Sequence, residues 1–358
     1  MARHCRQATD SDNLIHHDIL HLLAYHRKDY DNSVLSIHNE RTRPTHNINH
    51  SPILSASAGL DLLPVEMLSA VLRFSDLITL STLRLVNRRT KIIVEGFIPY
   101  KLVIIHAPYV LDALTRTGVA SHFTAVQVFD ALFSYSCAIC GRFGAFLWIP
   151  GCIRCCIPCV RESQELMPMT QRDAMAAFGL SKKTLLKVPI VHTLPGVYTL
   201  SHTPYQRRRW LLSRGTAREI AVKVHGGEEG LISYINSNTS RAKAAYDQRV
   251  AKRNATRSAC DSKGERNITI DDISRFLVTT PLPYFNPELR STQTGLSCKG
   301  CQSALETGLK QVLSYAQHQA LLDKRDRIFT EDMFLDHFTI CMEAQRMWAE
   351  HYGTNGKV

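Results

Sequence analysis

The chain lacks a long hydrophobic run. None of its 358 residues falls in a stretch approaching the ~18 apolar residues that a membrane helix needs. The most apolar stretch, Leu102 to Leu114, is broken by His106, Pro108 and Asp112. The N-terminal MARHCRQATD is polar and has no apolar segment of the kind a secretory signal carries. Acidic residues are scarce beside basic ones, 32 against 43, so the formal net charge is +11. Three catalytic signatures are also missing: the G-x-S-x-G nucleophile elbow, the phosphate-cradling G-x-x-x-x-G-K-[ST] and the metalloprotease H-E-x-x-H. These absences argue against a membrane span, an exported chain and the common hydrolase and nucleotide-dependent chemistries. They place the chain in a reducing compartment, cytoplasm or nucleus, where thiols bind metals rather than pair as disulfides. The positive balance favours an anionic partner such as nucleic acid, acidic lipid or an acidic protein, without choosing among them.

Apolar residues make up 44% and charged residues 21%, an ordinary globular composition with ample material for a core. Cysteine is the distinctive residue. Nine of the eleven lie in two groups. The C-terminal group reads Cys298-x2-Cys301, then His337-x3-Cys341. Thr330 can cap a helix with Glu331 and Asp332 in its first turn, and on that helix His337 and Cys341 share a face. Between the two pairs the pattern suggests one helix over Ala304–Leu322. The upstream group is Cys137, Cys140, Cys152, Cys155, Cys156 and Cys159. Cys137-x2-Cys140-Gly141 reads as a zinc knuckle, with the glycine relieving backbone crowding. Either Cys156-x2-Cys159, the pair chosen here, or Cys152-x2-Cys155 closes it, with Phe146–Ile149 as a short strand over the metal. An iron–sulfur cluster would accept the same four thiolates. A closed set of four protein ligands leaves no position for substrate, so the expected role of two zinc ions is structural and the chain is expected not to be an enzyme.

Residues 1–58 are polar and rich in His, Asn and Ser, and read as a mostly disordered leader in which Ile19-Leu20 and Leu22-Leu23 support at most a transient helix. From Leu62 to Val94 three short helices are expected. The first is opened by Pro64 and carries the stripe Leu68, Val71, Leu72. The second is capped by Thr79 with the stripe Leu80, Leu83, Val86. The third follows Asn87 with Ile92, Ile93 and Phe97. Three such helices cannot bury every apolar side chain among themselves, so some surface remains for a partner. This stretch resembles the F-box, on Leu63-Pro64-Val65-Glu66-Met67-Leu68, Leu77, and Leu83-Arg84-Leu85-Val86-Asn87-Arg88-Arg89 in register. Thr90 stands where that family often has an aromatic. The resemblance implies docking on a Skp-type adaptor of a cullin ubiquitin ligase through Leu63, Pro64, Leu68, Leu72, Leu83 and Val86.

The order of segments also resembles a class of fungal F-box domain-containing proteins: the F-box, then CAICGRFGAFL…RCCIPC, then Leu194-Pro195-Gly196-Val197-Tyr198, then CKGC…HFTICMEAQRMW. Arg207-Arg208-Arg209-Trp210 and the run from Arg241 to Arg257 concentrate positive charge, and Pro281, Pro283 and Pro287 suggest a rigid connector. The expected architecture is α+β and predominantly helical. It comprises a leader (1–58), an F-box-like module (59–100), a cysteine-rich domain with the first zinc site (101–258), a linker (259–290) and a helical segment with the second zinc site (291–358). The expected function is the substrate-recognition subunit of a Skp–cullin–F-box type ubiquitin ligase, whose partners are the adaptor and a protein substrate. The alternative is a zinc-dependent nucleic-acid-binding protein.

Overall fold

A computed structural model describes residues 10–36, 63–237, 248, 270–309 and 314–355. The chain is predominantly helical, with short antiparallel strands. Helix α1 (Asp10–Leu23) leads into a two-residue strand β1 (Ala24–Tyr25) and a short helix α2 (Lys28–Asn32). The expected disordered leader is therefore corrected for residues 10–36; its remainder lies outside the described residues. Ile19 and Leu23 of α1 are buried against Cys298, Cys301, Phe334 and Ala344, and β1 pairs with Ser297–Cys298. A helix this polar has too few apolar side chains to persist alone, and its burial is supplied by residues at the far end of the chain.

The three expected helices form as α3 (Val65–Phe74), α4 (Leu77–Val86) and α5 (Arg88–Gly96). Two local assignments change. Pro64 occupies the cap position rather than the first turn, and Asp76, not Thr79, caps α4, accepting from the Thr79 backbone N–H at 2.9 Å. Thr90, the departure from the F-box pattern, has its own use. It completes a capping box with Asn87, and its hydroxyl donates to the Leu83 carbonyl at 2.8 Å, stitching α5 to α4.

Helices α6 (Ile98–His106), α7 (Pro108–Arg116) and α8 (Ala125–Phe133) continue the bundle. The bundle does not end where the F-box-like module was expected to end. Leu72, Leu77, Leu80 and Val94 belong to the same core as Val103, Leu114, Leu132 and the cysteine-bearing segment. That segment supplies strands β2 (Phe146–Trp148) and β3 (Ile153–Cys155) and helix α9 (Ile157–Glu162). A smaller core gathers β4 (Pro168–Thr170), α10 (Gln171–Phe178), α11 (Lys182–Leu185), β5 (Val191–His192), β8 (Trp210–Ser213) and α12 (Arg214–Val224) around Phe178, Leu185, Leu212 and Ala221. The hairpin β6–β7 (Gly196–Tyr198 and Thr203–Tyr205) lies between β5 and β8 in sequence.

Residues 270–286 are not a connector. They form α13 (Ile270–Leu277), β9 (Thr279–Pro281), which pairs with β2 to complete a three-stranded sheet, and β10 (Tyr284–Asn286), which pairs with β11 (Ser291–Gln293). Strand β12 (Ser297–Cys298) then enters α14 (Lys299–Gly308). The single helix expected over Ala304–Leu322 is two, α14 and α15 (Tyr315–Arg325), and α16 (Glu331–Phe338) and α17 (Met342–Asn355) follow. The basic run from Arg241 to Arg257 lies outside the described residues, save position 248. Among the described residues no helix is long and apolar enough to cross a membrane.

Candidate metal centres

The first cysteine group folds around the turn Cys137–Gly141. The Cys137 backbone N–H donates to the Arg142 carbonyl at 2.6 Å, the Gly141 N–H donates back to Cys137 at 2.9 Å, and Gly141 adopts φ +70°. Cys156 caps α9 and Cys159 lies in its first turn. The sulfurs of Cys137, Cys140, Cys156 and Cys159 all lie within 4.8 Å of one another, with Cys140 and Cys156 at 3.6 Å. Cys152 and Cys155 are buried outside this cluster, and burial pushes the Cys152 thiol up to about 12 and Cys155 upward as well. They are packing thiols. Within the cluster, the hydrogen bond that Cys137 shares with Cys156 holds the Cys137 thiol down at about 4 and pushes Cys156 up. Arg142 donates to Cys140 Sγ at 3.4 Å, a cation beside the sulfur cluster.

The second group assembles four elements. Cys298 ends β12, Cys301 lies in the first turn of α14, His337 in the last turn of α16, and Cys341 immediately before α17. As expected, Thr330 caps α16. The helix ends at Phe338, however, so His337 and Cys341 do not share a helix face. A turn carries the chain round, and the Cys341 backbone N–H still donates to the His337 carbonyl at 3.0 Å. Cys301 Sγ is 3.3 Å from His337 Nε2 and 3.8 Å from Cys341 Sγ, and Cys298 Sγ is 3.9 Å from Cys341 Sγ. The His337 ring stacks on Phe329 at 4.5 Å. Burial opposes its imidazolium, but the Cys298 and Cys341 sulfurs outweigh that and hold its pKa at about 9. Gly300 lets α17 approach: a Cβ there would stand 2.5 Å from the Ala344 backbone nitrogen.

Each group thus brings four donor atoms to one point, a set able to hold a metal ion.

Of the six residues expected to contact an adaptor, Leu68 and Leu72 are buried in the chain's own core and Leu83 is partly buried against it. That part of the expectation is corrected. They face inward because the stripe Leu68–Leu72 is the side of α3 that meets the bundle. Leu63 is half-buried, whereas Pro64 and Val86 are exposed.

Sequence reading missed the buried arginines. The Asp326 carboxylate is fully buried and accepts from Arg27 at 3.1 Å, Arg161 at 3.0 Å and Arg325 at 2.6 Å. This hub joins the N-terminal segment, the helix that begins at Cys156, and the stretch leading to His337. Arg154 is buried without a carboxylate and donates to the carbonyls of Ala131 (2.8 Å), Leu282 (3.1 Å), Pro283 (2.5 Å) and Gly144; burial lowers its pKa to about 9. None of these four arginines stands out among the 43 Lys and Arg residues.

Comparison with protein-family models, with curated proteins and with solved structures gives no match to this chain.

Proposed function

We propose that the chain is a non-catalytic substrate-recognition subunit of a Skp–cullin–F-box type ubiquitin ligase, acting in cytoplasm or nucleus, with two structural zinc ions closing its fold. The observation that carries the reading is the apolar face that α3 turns outward beside the F-box-like sequence. Met67, Val71 and Phe74 follow one another at i, i+4 and i+7, and Phe74 is 86% exposed. A separate groove of about 730 Å³ opens on the other side of α3, where Val65, Ser69 and Arg73 face Ile92, Phe97 and Ile98. Contiguous large apolar side chains kept in water mark a surface that another protein covers. The docking residues are then Met67, Val71 and Phe74, rather than Leu68 and Leu72.

Zinc is supported by the spacing of the donors. Zn–S bonds of about 2.3 Å in a tetrahedron set sulfurs about 3.8 Å apart. The sulfur–sulfur distances of 3.6, 3.8 and 3.9 Å match that edge. They are far longer than the ~2.05 Å of a disulfide. The imidazole in the second group favours zinc there over an iron–sulfur cluster held by four cysteines. The chemistry of ligation would lie elsewhere in the assembly, with this subunit supplying proximity.

Co-purification with a Skp-type adaptor tests the reading. Wild type should retain the adaptor, and Met67→Asp plus Phe74→Asp should lose it with an unchanged circular dichroism spectrum, since both side chains are already in solvent. Failure of the wild type to capture adaptor would refute it. One observation favours the zinc-dependent nucleic-acid reading. Arg207 and Arg208 are exposed beside Trp210, which is 54% exposed, a basic and aromatic pairing suited to stacking on single strands. Steeply salt-dependent oligonucleotide binding without adaptor capture would select it.

A further inference from the structure

Between the two cysteine groups opens a cavity of about 350 Å³. Phe143 and Pro158 form one wall, and Phe329, Met333 and Ile340 the other. One donor of each group, Cys156 and His337, also lines it. Gly295 packs against both sides: a Cβ there would come within 2.3 Å of Ile328 and 2.7 Å of Phe143. Asp326 lines the cavity too, but its carboxylate is consumed by Arg27, Arg161 and Arg325. The remaining charge is at the rim. Arg142 and Arg327 are exposed, and neither guanidinium pairs with a carboxylate among the described residues; Arg142 Nε is held by Cys140 Sγ at 3.4 Å, which leaves its two terminal nitrogens for a ligand. A single rim acid, Asp336, opposes them.

We propose that this cavity is a peptide-recognition pocket. It takes one large aliphatic or aromatic side chain from an extended segment whose neighbouring residues are acidic. The side chain enters between Phe143 and Met333, and the flanking carboxylates meet Arg142 and Arg327. Size and charge both point this way. The volume is at the lower end of the roughly 300–1,000 Å³ of ligand pockets, enough for a side chain or two and too small for a folded element. The excess of rim cations, on a chain of net charge +11, selects against basic peptides. The placement gives the metal centres a purpose beyond stability: each holds one wall, so the gap between the walls is fixed before the peptide arrives. The assignment of this peptide to a ligase substrate rests on the receptor reading above; the pocket itself does not.

The test is fluorescence anisotropy on the full, metal-loaded chain. The probes are labelled octapeptides carrying one central leucine or phenylalanine flanked by glutamates, with alanine-centred and lysine-flanked peptides as controls. The glutamate peptides should bind, at least about tenfold more tightly than either control. Ile340→Asp and Arg327→Glu should each weaken binding about tenfold or more, and both positions are exposed (Ile340 is 76% exposed), so the fold is spared. The Met333 and Ile340 methyl resonances should shift on titration. Absence of binding by the glutamate peptides, wild-type binding by both Ile340→Asp and Arg327→Glu, or unmoved Met333 and Ile340 methyls would each overturn the proposal. So would a single-stranded oligonucleotide that shifts those methyls more strongly than the peptide. Adaptor capture, measured on the same variants, should be unaffected. Peptide binding without adaptor capture would sink the receptor reading and leave the pocket standing, while adaptor capture without peptide binding would do the reverse.

Discussion

Replacing Gly300 by alanine adds one methyl group and should empty the second metal centre. The new Cβ would sit 2.5 Å from the Ala344 nitrogen, 2.8 Å from its Cα and 2.9 Å from its Cβ. Carbon atoms in contact need about 3.5–4.0 Å, so the first turn of α17 must retreat by roughly 1 Å. The obstructing atoms are mainly backbone, and no rotamer change relieves them. That turn is continuous with Cys341, whose carbonyl accepts from the Gln345 N–H at 3.0 Å, so Cys341 moves with it. Metal–ligand distances tolerate only about ±0.2 Å, and a shift several times larger takes one thiolate out of the shell. Overpacking alone costs about 1–3 kcal/mol. Loss of the metal forfeits far more, since structural zinc contributes on the order of 10–16 kcal/mol in small domains. Chelator competition read by zinc stoichiometry is the assay: Gly300→Ala should fall from about two ions to about one at a chelator concentration that leaves wild type loaded. Gly96→Ala is the control, because nothing lies within 4 Å of its added Cβ. Gly300→Ala with wild-type affinity at both centres would refute the packing argument.

Other perturbations follow from the same contacts. Asp326→Ala leaves three guanidiniums facing one another in a largely buried site and should cost about 3–5 kcal/mol in denaturant unfolding; a loss under 1 kcal/mol would show that water replaces the carboxylate. Leu23→Ala removes a side chain 1% exposed in the core around Cys298 and should cost about 2–5 kcal/mol, weakening metal retention at the second centre and leaving the first unchanged. His26 lies 2.7 Å from the Asp31 carboxylate and 3.3 Å from the Gly295 carbonyl, so its protonated ring can donate to both, and the Asp31 hydrogen bond raises its pKa above the ordinary value. A raised folded-state pKa contributes stability that is fully present below the unfolded value of about 6.5 and is lost as pH climbs through the folded one. The melting-temperature gap between wild type and His26→Asn should therefore be widest below the ordinary imidazole pKa of about 6.5 and narrow as the pH rises above it; a gap that widens with pH would contradict this geometry.

What the sequence revealed, it revealed through local spacing. The stripes Leu68–Leu72 and Leu80–Leu83 are set by the helical repeat, and the C-x2-C turns by the need to aim two sulfurs at one point, so short windows suffice to read them. Even there the direction of a stripe was ambiguous. Leu68 and Leu72 were assigned to a partner, yet they face the bundle, because an amphipathic helix does not say whether its apolar side meets its own chain or another. Long-range pairing left no local trace. α1 looks unstructured because the residues that bury Ile19 and Leu23 lie beyond Cys298. Pro281 and Pro283 suggest a stiff connector, but the strand that receives β9 is Phe146–Trp148. The numbering separates the two cysteine groups widely, which made them look independent. Asp326 removes that independence: it accepts from Arg161 on the helix that starts at Cys156, and it lies on the approach to the helix that carries His337. One buried carboxylate, indistinguishable by pattern from the other acids, thus links the segments that carry the two cysteine groups and lines the cavity between them.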